Sequence, residues 1–136
     1  MDEEQLTGGV ANAGAVTRRG AHVLRPSNPH SRSIHRFLST LREAGFDGAS
    51  APIAIDADGR ERMVFIEGDV PVPPYPRWAQ SDDALRSVST LMRRFHEASC
   101  RVDTTGSTWS DEMNDGARSW RDIDQRVNRG AGQRPR

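Results

Sequence analysis

The sequence predicts an α+β protein: about five antiparallel strands with one helix, then a proline-rich strap, one further helix and an irregular tail. Three observations predict it. Short apolar runs separated by glycine and aspartate turns recur before residue 68. Segments 28–45 and 81–98 repeat apolar residues at helical spacing. Between the last strand and the second helix runs VFIEGDVPVPPYPRW, residues 64–78, whose prolines exclude a central strand or a helix interior.

Residues 6–25, LTGGVANAGAVTRRGAHVLR, hold two apolar runs, Ala13–Val16 and Ala21–Leu24, either side of Arg18-Arg19-Gly20. That pattern predicts two antiparallel strands and a tight turn, with a first strand and a loop at Gly8-Gly9 before them. Residues 28–45 predict a helix with Asn28 as its cap, Pro29 at its first position and Gly45 ending its last turn. Ile34, Phe37, Leu38 and Leu41 form its apolar stripe.

Residues 51–68 predict a hairpin in which APIAI turns through Asp56-Ala57-Asp58-Gly59 and RMVFIEG returns. Consecutive Val64, Phe65 and Ile66 predict a strand covered on both faces. Pro71, Pro73, Pro74 and Pro76 then favour an extended polyproline path. Ser81 to Ala98 predicts a helix capped by Ser81, with Asp82 and Asp83 at its positive end and Arg93, Arg94 and His96 near its negative end. Its face of Leu85, Val88, Leu91, Met92 and Phe95 needs a partner. After Cys100 the periodicity stops; Trp109, Trp120, Ile123 and Val127 stand among polar residues, and NRGAGQRPR reads as disordered.

Composition narrows the function. At 136 residues with 35% apolar content and mean hydropathy −0.73, a compact core is expected for only part of the chain. Basic and acidic residues number 19 each, so charge points to neither nucleic acid nor a membrane surface. Every basic residue is Arg; a role that uses an ammonium group elsewhere must here fall to a guanidinium, a planar fork that cannot act as a base. The lone Cys100 excludes an intrachain disulfide. The acidic, polar start and the lack of a long apolar run read as a soluble, cytoplasmic protein.

The order of strand, glycine loop, two strands, helix, two strands, strap and helix resembles the amino-terminal lobe of a protein-kinase-like fold. LTGGVANAGAVTRRGAHVLRP, FLSTLREAGFDGA, VFIEGDVPVPPYPRW and ALRSVSTLMRRFHEAS look like the aminoglycoside phosphotransferase (APH) superfamily of small-molecule kinases, over residues 5–113. The resemblance implies a lobe at 1–68, a hinge at 69–80, the first helix of an incomplete second lobe at 81–100 and an irregular tail at 101–136. It implies ATP as nucleotide, Mg²⁺ in intact relatives, and a small hydroxylated acceptor. Gly8 and Gly9 would offer backbone amides to phosphate oxygens, Asn12 a polar contact and Arg25 a phosphate contact. Glu67 and Gly68 would lie at the hinge, where adenine bonds to backbone. Ile53, Val64 and Phe65 would either wall the adenine pocket or serve as plain core.

The chain departs from that pattern in two respects. Kinases pair the strand cation with a helix carboxylate, whereas this helix offers Ser33, Ile34 and His35 there, with Glu43 its first acid. His35 reads as a solvated helix residue. The H-x-D-x-x-x-x-N loop is also missing, since none of His22, His30, His35 and His96 has Asp two positions later. Asp122-Ile123-Asp124 fits D-x-D, but without a hydrophobic strand before it reads as a solvated pair. Asp56 and Asp58 read as ordinary turn residues. No catalytic residue or metal ligand is assigned.

The likeness stops near TTGSTWSDEM, so the chain reads as a truncated, catalytically incomplete member; a shifted reading frame would produce such an arginine-rich tail. The alternative is a non-enzymatic interaction module that uses the second helix's apolar face for self-association or for docking a missing second lobe. A split enzyme completed by another polypeptide is a third reading. PVPP and PPYP also satisfy P-x-x-P, which aromatic grooves recognise.

Overall fold

A computed structural model describes residues 2–6 and 14–110. Gly8, Gly9, Asn12 and the Asp122–Asp124 triplet lie outside the described residues. Five strands, β1 (Glu4–Gln5), β2 (Thr17–Arg19), β3 (His22–Pro26), β4 (Pro52–Ile55) and β5 (Arg60–Val64), form one antiparallel sheet in the order β1-β2-β3-β5-β4. Helix α1 (Ser31–Glu43) connects β3 to β4; a short 3₁₀ turn (Arg77–Gln80) precedes helix α2 (Asp82–Ser99).

The first hairpin differs from expectation. β2 begins at Thr17, after Gly14–Val16 rather than within them, and Arg18 and Arg19 belong to the strand rather than the turn; Ala13 lies outside the described residues. Arg19 pairs with His22, which leaves Gly20-Ala21 as the loop, with Gly20 at φ +60°. A two-residue loop needs positive φ, which glycine supplies without steric cost.

Helix α1 starts at Ser31 because residues 28–30 are spent in a turn. Asn28 Oδ1 accepts from the His30 N–H at 2.8 Å, and the Asn28 N–H donates to Ser31 Oγ at 2.9 Å. Asn28 therefore organises the approach and is not itself the cap, which is His30. The far end is as expected. Gly45 at φ +89° donates to Arg42 O at 3.0 Å and Phe46 donates to Leu41 O at 2.9 Å, a Schellman closure that brings Leu41 and Phe46 into one core cluster.

β5 lies between β3 and β4, yet its covered residues are Glu61 and Met63. The run Val64-Phe65-Ile66 is not a strand buried on both faces: pairing ends at Val64, opposite the first residue of β3, and Ile66 is 60% exposed. Beyond the Phe65 N–H, which donates to Ala21 O at 2.8 Å, β3 offers no further backbone.

In α2, the Ser81 hydroxyl accepts from the Ala84 N–H at 3.1 Å, as its capping role requires. Only the carboxyl-terminal part of the helix packs. Ala98 is buried and Phe95 lies against Leu41 and Phe46, so Phe95 does not belong to the exposed face, whereas Leu85, Val88, Leu91 and Met92 remain exposed. Residues 101–110 are irregular and return to α1. Trp109 meets Phe37 edge-on with ring centroids 5.5 Å apart, and the Thr108 N–H donates to Ser33 Oγ at 2.9 Å.

Candidate functional site

Facing residues of an antiparallel pair share a side, and alternate residues change sides. Arg18, Val23 and Met63 are register partners, as are Arg25 and Glu61, so all five project from one face of the sheet. His35 of α1 meets that face.

Glu61 is the centre of the arrangement. It is 2% exposed, an expensive place for a carboxylate unless its charge is matched. One oxygen accepts from Arg25 Nε; the other lies 2.9 Å from His35 Nε2. Arg25 keeps about a third of its side chain open to solvent. The cation on β3 thus has a buried carboxylate partner, supplied by the neighbouring strand and not by the helix. His35 is correspondingly corrected: its side chain is 14% exposed and bonded to Glu61, not solvated. Sequence reading missed Glu61. The available signal was the alternation of Arg60, Glu61, Arg62 and Met63, which sets Glu61 beside Met63 on the covered side.

Beside this cluster is a flat aromatic surface. Arg18 holds its guanidinium carbon 3.9 Å from the centre of the Phe65 ring, donates from Nη2 to Glu67 Oε1 at 2.7 Å and from Nε to Gly20 O at 2.9 Å. Val64 opposes His22 and therefore points to the other side of the sheet, and Ile53 is 46% exposed at an irregularity in β4. Of the three apolar residues read as adenine walls, Phe65 is the one that lies under Arg18, and strand alternation from Met63 sets it on the same side as Met63. Glu67 and Gly68 are exposed just after Phe65.

The opposite side of the sheet carries a charge clamp. Glu3 accepts from Thr17 at 3.0 Å, from Arg60 at 2.9 Å and from Arg19. These donors, Arg60 foremost, hold the Glu3 carboxyl down at about 2. Arg60 also pairs with Asp58 at 2.8 Å and lowers the pKa of that carboxyl. The clamp ties β1 to β2 and to the start of β5.

Among the described residues no group of three or more His, Cys, Asp or Glu is placed to hold a metal ion, and no helix is long and apolar enough to cross a membrane. No protein-family model, curated protein or solved structure matches the chain.

Proposed function

We propose that the sheet lobe is the ATP-covering half of an APH-like phosphotransferase, a fold that phosphorylates small hydroxylated molecules, and that this chain by itself binds nucleotide without turning it over. The observation that carries the reading is the shared face of Phe65, Val23 and Arg25. Val23 and Arg25 are two residues apart on β3, about 6.6 Å along a strand, so an apolar seat for a base stands one step from a fixed guanidinium. Glu61, itself bonded to His35, holds that guanidinium, and a planar fork suits phosphate oxygens. The exposed backbone of Glu67 and Gly68 is free to meet the base edge; Gly8, Gly9 and Asn12 would meet the phosphates. Mg²⁺, when bound with ATP, would neutralise charge on the transferred group.

Transfer also needs an Asp to orient the acceptor hydroxyl and ligands for the metal, and no histidine in the chain leads an H-x-D. Titration with a fluorescent ATP analogue tests the binding half of the proposal. Arg25→Gln should weaken binding about tenfold or more, as expected for loss of a charge-assisted contact. Arg25→Lys, which keeps a charge for Glu61, should fall between. Unchanged affinity in both variants overturns the reading. Sustained ATP consumption that Arg25→Gln abolishes would overturn the incomplete-enzyme part.

A separate observation favours a second reading, an interaction module. Leu85, Val88 and Met92 follow i, i+3, i+7 along α2 and are each more than half exposed, a contiguous apolar stripe of the kind that marks docking surfaces. Sedimentation that depends on concentration and is abolished by Val88→Glu supports it; a monomer at every concentration contradicts it.

A further inference from the structure

The proposed base seat is already covered by the protein's own side chain. The Arg18 guanidinium carbon lies 3.9 Å from the centre of the Phe65 ring, within cation–π range and over the face on which a planar heteroaromatic ring would stack. Its hold is threefold: the ring below, Glu67 at 2.7 Å beside it and Gly20 O at 2.9 Å behind it. Each anchor is weak. Glu67 is 77% exposed and Arg18 is 32% exposed, so water and salt screen their attraction. The arrangement resembles neither a core contact nor a free surface arginine. It is a side chain parked on an aromatic face, with a carboxylate at the hinge holding it there.

We propose that Arg18 is the gate of the base seat, closed by Glu67, and that a planar base enters only by displacing it. This rests on the nucleotide reading above. Arg25, one register step further along the sheet, is not part of the gate, because its partners are Glu61 and not Phe65 or Glu67. Competent ligands are therefore those whose ring stacks on Phe65 strongly enough to replace a guanidinium, and the gate sets which rings qualify.

Uncharged adenosine separates the gate from the phosphate contact. In competition against a fluorescent ATP analogue, Arg18→Ala should raise adenosine affinity about threefold to tenfold, the scale of one cation–π contact and one exposed ion pair. Glu67→Gln should give a smaller gain. Wild-type affinity for adenosine should rise with ionic strength as the Arg18–Glu67 pair is screened, while affinity for ATP falls. Equal or weaker adenosine binding by Arg18→Ala, with Arg25→Gln still weakening ATP, overturns the gate and leaves the nucleotide reading standing. Absence of all nucleotide and nucleoside binding by folded wild type and Arg18→Ala removes both.

Discussion

Glu61 unites β3, β5 and α1 through one carboxylate, and its removal leaves Arg25 without its counter-charge and His35 without its hydrogen-bond partner. Breaking a buried pair costs about 3–5 kcal/mol; because Arg25 keeps a third of its side chain in water, Glu61→Ala should cost about 3 kcal/mol in a urea melt. Glu61→Gln, which can still bond both partners, should cost visibly less. An equal loss in the two variants would mean that shape, not charge, is what matters there. The opposite charge cluster has a pH signature. Glu3 is held at about 2, below its ordinary 4.5, so the stability it lends is complete above about 4.5 and is lost as pH falls toward 2. The Glu3 carboxyl carbon followed by NMR should titrate with a midpoint near 2; a midpoint near 4.5 would show that the contacts to Arg60 and Arg19 are not kept in solution. Arg25 was legible in the sequence as the strand cation. Its partner was not, because the β3–β5 register decides which carboxylate reaches it, and those two strands are joined through α1 and β4 rather than by a local turn.

Two glycines near the end of α1 separate conformational from steric constraint. Gly45 has φ +89° and nothing within 4 Å of an added Cβ, so Gly45→Ala should cost about 1–2 kcal/mol from backbone alone. At Gly48 the obstacle is space: an added Cβ would lie 2.3 Å from Leu91 Cδ1 and 2.8 Å from Phe46 Cζ. Leu91 can swing into solvent, whereas Phe46 is 5% exposed and held in the core cluster. Gly48→Ala should therefore cost about 1–3 kcal/mol by displacing Phe46 from the core cluster. Restored stability in Gly48→Ala with Leu91→Ala would assign the cost to Leu91 instead. Sequence located both helices within a few residues, because capping and apolar spacing are local. It misjudged which part of α2 packs, since Phe95 and Leu85 share a stripe on paper and are divided only by where α1 ends.

Among the described residues, the buried apolar side chains are few. Leu24 and Met63 are buried on opposite faces of the sheet, and Leu41, Phe46 and Ala98 form a cluster that joins the end of α1 to the end of α2. The strap between them exposes Val70, Val72, Tyr75 and Trp78. On the proposed reading the strap would be the hinge and the Phe65 face would lie beside it. Under the proposed function, nucleotide meets the Arg18–Phe65–Arg25 face of the sheet. Backbone amide shifts recorded during titration with Mg²⁺–ATP test it most directly. The largest changes should fall on Arg18, Val23 to Arg25 and Phe65 to Gly68, with α2 residues 85–92 unmoved; changes confined to α2, or none at all, would rule nucleotide out of this face.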